Sequence, residues 1–157
     1  MWDVAACLTL THMVAWGGRT VWCETGLPFL ITVLAAAWHG GLLPSEVYSY
    51  GNVRPEHVMA LTVLVDVQQC LVHIASHAIP ALRRSHGIHH QSKRPTPRDA
   101  FCTGWIDAFT QLMLPLYASI TLVRPNRSTA IVFGLIYSHW LVYLHSALPD
   151  HPIAGLV

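Results

Sequence analysis

The sequence predicts an all-α fold, built as an integral membrane helical bundle. Its composition, its apolar segments and its turn residues all favour this class. Hydrophobic residues make up 53% of the 157 positions and charged residues only 11%, whereas soluble globular domains carry about 25% charged residues. So few charged side chains cannot cover a water-facing surface, and a lipid environment is therefore expected.

Five apolar segments define the expected helices within one domain, residues 1–157. Residues 1–50 contain two short segments that are expected to form an N-terminal membrane hairpin, and residues 58–147 contain three longer ones that form the core. A bilayer-spanning helix needs about 20 residues. The segments cover residues 4–17, 27–43, 58–79, 104–123 and 129–147.

Proline residues and charge set the expected topology. Pro55 precedes the third segment and Pro80 stops it, which makes it the clearest span. The polar turn 124–128 joins the last two segments and predicts an antiparallel pair. Five of the nine Lys and Arg residues lie within 81–99, so this loop of a multi-pass protein is expected to face the cytoplasm.

The charge balance argues against nucleic acid as a partner. A net charge of +1 provides no broad basic face that could replace counterions along a phosphate backbone. Histidine is the more informative residue, since the chain has 11 histidines against 9 Lys and Arg residues. Polar side chains are costly in an apolar chain unless they bind something, so the histidines need a chemical explanation.

Two histidine motifs carry the expected chemistry. His73 and His77 form an HxxxH pair near the end of the third segment, and two imidazoles at this spacing can reach one metal ion. An HxxHH motif follows, made by His86, His89 and His90. The two motifs predict a histidine-rich metal site on the cytoplasmic side. Imidazole suits zinc, copper, iron and nickel alike, so the ligands do not choose the metal.

Asp66 lies on the same helical stripe as His73 and His77. A carboxylate in the middle of a span costs at least about 2.5 kcal/mol unless it has a partner. Asp66 is therefore expected to accept a hydrogen bond from a metal-ligating histidine and to orient it. The alternative is a hydrogen bond between helices. A zinc-dependent membrane hydrolase is disfavoured, because the histidines lack a carboxylate base nearby.

The histidine pattern resembles the first two histidine boxes of the fatty-acid hydroxylase and sterol desaturase superfamily. The segment after the second box is similar to sterol C-5 desaturases (lathosterol oxidases), and the helix with Trp140 and His145 resembles the one before that family's last box. The residues that carry this second similarity are Pro95-Thr96-Pro97, Ala100-Phe101, Asp107, Gln111 and Leu114-Pro115.

The resemblance implies an oxygen-dependent enzyme of the endoplasmic reticulum membrane, with a non-haem di-iron centre and electrons from cytochrome b5. It implies desaturation or hydroxylation of a lipid, with a sterol as the expected substrate; a hydroxylase of fatty-acyl or sphingoid chains is the alternative. The implied iron ligands are His73, His77, His86, His89, His90 and His145.

The sequence departs from the family pattern in three places. Ile74 stands where the family usually has Arg, and Leu71-Val72 where it commonly has an aromatic pair. The final HxxHH box, which the family carries beyond His145, is absent up to Val157, so the chain is expected to be C-terminally truncated. A non-catalytic remnant that keeps a partial metal site therefore stays open as an alternative.

Overall fold

The structure, a computed structural model, describes residues 26–90 and 102–145 of the chain. Every regular element within these two ranges is helical, which confirms the all-α class for this part of the chain. The first apolar segment of the expected hairpin, residues 4–17, lies outside the described residues. The helices are α1 (Gly26–His39), a short 3-10 helix (Ser45–Tyr48), α2 (Pro55–Ala78), α3 (Pro80–His89), α4 (Trp105–Val123) and α5 (Arg127–Leu144).

Two prolines set the limits of α2. Pro55 occupies its first turn, where a fixed φ suits the helix and a missing N–H costs nothing. Pro80 forces the preceding residue Ile79 into an extended conformation (φ −91°, ψ 118°), which ends α2 after Ala78. Pro80 then starts α3, so the chain turns sharply and α3 packs beside the end of α2.

Helix α4 contains a π-helical segment, Ala108–Met113. Pro115 has no N–H, so the carbonyl of Gln111 four residues earlier lacks its usual donor. The Leu114 N–H instead donates to the carbonyl of Phe109, five residues before it. Such segments are rare and frequently lie at functional sites.

The turn between α4 and α5 forms where the sequence predicts it. Arg124 ends α4 in the left-handed conformation (φ 51°), and the Asn126 side chain caps α5 by accepting the Thr129 N–H at 2.9 Å. The two helices that this turn joins are held together mainly through α2. Both pack far more extensively against α2 than against each other, because Leu61 and Val65 of α2 are fully buried between them.

Helices α2 and α5 begin at the same end of the bundle. The Arg127 N–H donates to the Ser49 carbonyl at 2.9 Å, and the Arg54 N–H donates to the Thr129 hydroxyl at 3.0 Å. The two helices therefore run in the same direction from this shared end. Their carboxyl ends meet at the opposite end of the bundle, where α3 also lies.

Within the part of the chain that the structure describes, two helices, α2 and α4, are long and apolar enough to cross a membrane. Only 11% of the most apolar stretch of α2 and 28% of that of α4 is buried within the chain, whereas a core helix of a soluble protein is mostly buried. The 24 residues of α2 would extend about 36 Å, more than the roughly 30 Å of a hydrocarbon core. One face of α2 exposes Met59, Val63, Val67, Leu71 and Ile74.

The shared start of α2 and α5 carries aromatic and basic side chains. The Arg127 guanidinium lies over the rings of Trp38 and Tyr50, 4.6 and 4.7 Å from their centroids. Arg124 pairs with Glu46, with Nε and Oε1 3.0 Å apart. Tryptophan, tyrosine and arginine in such an arrangement are typical of a membrane–water boundary.

Candidate metal centre

The carboxyl end of α2 and helix α3 bring four histidines together: His73, His77, His86 and His90. Each offers one ring nitrogen, and these four nitrogens all lie within 4.8 Å of one another. The arrangement follows from the sequence. Each helix contributes two histidines spaced four residues apart on one face, and the break at Pro80 folds one face onto the other.

The spacing of the ring nitrogens fits a shared metal ion. The Nε2 atoms of His73 and His77 are 3.2 Å apart, and those of His86 and His90 are 2.8 Å apart. Two imidazole nitrogens held about 2.1 Å from one metal would lie roughly 3.0 to 3.4 Å from each other. The four histidines, hereafter the four-histidine cluster, could therefore hold a metal without large movements.

Asp107 at the start of α4 orients His86. The His86 Nδ1 lies 3.0 Å from Asp107 Oδ1, and both residues are buried. A carboxylate only accepts, so Nδ1 carries the proton and the Nε2 lone pair faces the cluster. The Thr103 hydroxyl donates to the other carboxylate oxygen. The hydrogen bonds from Thr103 to Asp107 and from His86 to Asp107 thus fix all three side chains in one orientation.

His89 and His145 form a second pair beside the cluster. Their Nε2 atoms are 3.2 Å apart. The His89 Nδ1 donates to the Cys102 carbonyl at 3.2 Å, and the His145 Nδ1 donates to the Leu141 carbonyl at 2.8 Å. When both Nδ1 atoms carry protons, two lone pairs face each other, and a cation between them relieves their repulsion.

The protonation state of the two histidines at the end of α3, His89 and His90, also suits metal binding. Burial lowers the pKa of His89 below the usual value, and partial desolvation together with the neighbouring histidines lowers the pKa of the more exposed His90. Both imidazoles are therefore neutral at physiological pH. The neutral form carries the lone pair that binds a metal ion.

All six histidines expected as iron ligands lie at this end of the bundle, four in the cluster and two in the adjoining pair. His139 lies outside both, as its spacing from His145 predicts; it is exposed, and its Nδ1 contacts the Leu135 carbonyl of its own helix at 2.7 Å. The role of the six expected histidines as metal ligands remains a prediction.

Asp66 lies elsewhere. It is exposed on α2, roughly 10 Å before His73 along the helix axis, and close enough to Tyr137 of α5 for an electrostatic interaction. Among the described residues, the carboxylate paired with a cluster histidine is Asp107. The sequence alone does not indicate this role for Asp107, because Asp107 is 21 residues from His86 and no helical periodicity links the two.

The fold and this site define a class: a helical protein with membrane-length helices and a polyhistidine centre. The family model "Fatty acid hydroxylase" matches residues 58–156. The chain belongs to the fatty acid hydroxylase family, and the resemblance to this superfamily is confirmed. The family depends in general on non-haem iron, with which the four-histidine cluster is compatible.

A curated relative is similar over much of the chain. It is described as "Alternative squalene epoxidase", from Phaeodactylum tricornutum (strain CCAP 1055/1), and is 34% identical over 125 residues. The alignment covers 77% of this chain and 36% of the relative, so the chain spans about a third of that protein's length. No solved structure matches the chain significantly.

Proposed function

We propose that this chain is the histidine-bearing core of a membrane-embedded, non-haem di-iron oxidoreductase that uses dioxygen to oxidise a lipid. The convergence of four histidine nitrogens within 4.8 Å carries the proposal. The His89–His145 pair beside them supports a second metal position. Such a density of imidazoles beside the end of an apolar helix of membrane length favours metal binding.

Iron bound here would supply the activation of dioxygen for attack on a carbon–hydrogen bond or a double bond. The residues of the chain would hold and orient the ligands. Asp107 keeps the Nε2 lone pair of His86 toward the cluster, and two backbone carbonyls do the same for His89 and His145. Burial of His86 and Asp107 keeps water from this side of the centre.

The proposed substrate is a lipid of the sterol pathway, with sterol desaturation of the C-5 desaturase type as the favoured reaction. One dioxygen, two electrons and two protons would convert a C–H bond to an alcohol and one water, or remove two hydrogens with formation of two waters. The curated relative is described as a squalene epoxidase, which favours epoxidation of squalene as a second candidate. Hydroxylation of fatty-acyl or sphingoid chains stays an alternative.

The proposed location is the endoplasmic reticulum membrane, as the resemblance implies, and the charge distribution supports an orientation with the centre toward the cytoplasm. Arg83 and Arg84 lie on α3 beside the cluster, and three further basic residues follow within the stretch that predicts the cytoplasmic side. A basic surface next to the centre also suits an acidic electron donor of the cytochrome b5 type.

The proposal predicts oxygen-dependent lipid oxidation by membranes that contain the chain. Such membranes would be supplied with iron, a reductase and cytochrome b5, and separately with a C-5-saturated sterol, squalene and a long-chain acyl lipid. Mass spectrometry should detect loss of two hydrogens or gain of one oxygen in the sterol or in squalene. Oxidation of the acyl lipid alone would favour the fatty-acyl alternative. No product, in a chain that binds iron, would favour the non-catalytic remnant.

A further inference from the structure

Gln111, inside the π-helical segment of α4, contacts α2 at two points. Its backbone carbonyl accepts a hydrogen bond from the Gln69 side-chain amide at 2.7 Å. Its own side-chain amide donates to the Ser76 hydroxyl at 3.2 Å. Ser76 is buried and lies between His73 and His77 in the sequence, so the second contact falls directly on the ligand-bearing turn of α2.

The first contact depends on Pro115. In a regular α-helix the Gln111 carbonyl would accept from the N–H of residue 115, which proline lacks. Pro115 therefore leaves this carbonyl without that donor, and the Gln69 side chain supplies one across the helix interface. A carbonyl without a donor destabilises a packed interface, so the sequence around Pro115 favours close attachment of α4 to α2.

The same region of α4 also holds α3. Asp107 precedes Gln111 by four residues, and residues four apart lie close together on a helix surface. Asp107 contacts His86 of α3, while Gln111 contacts Ser76 of α2. One short stretch of α4 thus touches both of the helices that carry the four-histidine cluster.

We propose that Gln111 is a positioning residue for the metal centre. Through Ser76 it holds the carboxyl end of α2 in the register that places His73 and His77 opposite His86 and His90. This inference rests on the proposed metal-dependent function. Gln111 itself is not a ligand, so its loss should change the geometry and affinity of the cluster without removing a donor atom.

A matched control exists on the same two helices. The Gln68 side-chain amide donates to the buried Ser119 hydroxyl at 2.8 Å. This pair also joins α2 to α4 with a Gln–Ser hydrogen bond, but Gln68 lies about two and a half helical turns before His77, farther from the cluster. If Gln111 served only to pack the helices, its loss and the loss of the Gln68–Ser119 contact would have the same consequences.

The test uses the detergent-solubilised chain with Co²⁺ as a spectroscopic probe. Co²⁺ affinity, the visible absorption spectrum and the melting temperature would be measured for Gln111→Ala, Ser76→Ala and the double variant, beside Gln68→Ala and Ser119→Ala. We expect Gln111→Ala and Ser76→Ala each to weaken Co²⁺ binding about tenfold and to alter the spectrum. The double variant should bind Co²⁺ no more weakly than either single variant, because both substitutions remove the same hydrogen bond.

The control variants should lower the melting temperature without changing Co²⁺ affinity or the spectrum. Unchanged affinity and spectrum in the Gln111 and Ser76 variants would overturn the positioning role while leaving the proposed function intact. The positioning role would also be overturned if the Gln111 and Ser76 variants and the control variants all lost Co²⁺ affinity in proportion to their loss of melting temperature. If the unaltered chain binds no metal, the proposed function fails first, and the positioning role fails with it.

Discussion

Replacing His86 with alanine is expected to weaken metal binding at the four-histidine cluster by more than about 100-fold and to abolish lipid oxidation. His86 is the buried member of the cluster, and its Nε2 lies 2.8 Å from that of His90. Loss of a ligand should exceed the 10–100-fold cost of losing a residue that only supports one. Affinity would be measured by competition with a chelator.

His86→Ala also leaves the Asp107 carboxylate buried without its partner, so the variant is expected to be less stable. The exposed ligand His90 separates the two effects, because His90→Ala should lose metal affinity with little change in melting temperature. His139→Ala, an exposed histidine outside the cluster, should change neither. Retention of full metal affinity by both His86→Ala and His90→Ala would show that the four-histidine cluster is not the metal site.

The second large effect is expected at Asp107. Asp107→Asn keeps the size of the side chain but removes the charge that fixes the Nδ1–H tautomer of His86. Metal affinity should fall about 10–100-fold, as it does for carboxylates that orient a ligating histidine. The change should be visible in the spectrum of bound Co²⁺ as well as in affinity, since an amide can present either its oxygen or its N–H to Nδ1 and no longer fixes the tautomer of His86.

Asp66→Asn is the matched comparison for Asp107→Asn. The sequence assigns the orienting role to Asp66, whereas the structure places Asp66 exposed on α2 and Asp107 against His86. Asp66→Asn is therefore expected to change metal affinity less than about twofold. A large loss with Asp66→Asn and none with Asp107→Asn would restore the assignment made from the sequence.

Much of the fold could be predicted because its determinants are local. Apolar length, together with Pro55 and Pro80, located α2 within a few residues, and the polar turn at 124–128 separated α4 from α5. The packing of α4 and α5 on α2 depends on which side chains meet across helices, and the sequence alone does not give this. Pro115 leaves the Gln111 carbonyl without its usual helical donor, and its partner Gln69 comes from α2, which only the fold brings close.

In the candidate site, too, the features set by local sequence could be predicted, and those set by contacts between helices could not. The i, i+4 spacing within α2 and the HxxHH motif of α3 place four histidines on two adjacent helix faces, so their meeting could be predicted. His145 was assigned through the resemblance, and it lies beside His89 because α2 and α5 run in the same direction. Asp107 and Ser76 could not be assigned roles, since their partners come from other helices.

Iron content of the purified chain tests the central claim most directly. The detergent-solubilised protein would be loaded with Fe²⁺ under anaerobic conditions, freed of loose metal and measured by elemental analysis, beside a variant with His73, His77, His86 and His90 all replaced by alanine. The account predicts about two iron ions per chain, from the four-histidine cluster and the adjoining pair, and loss of the cluster-bound iron in the variant. Iron in the unaltered chain no higher than in the variant would contradict it.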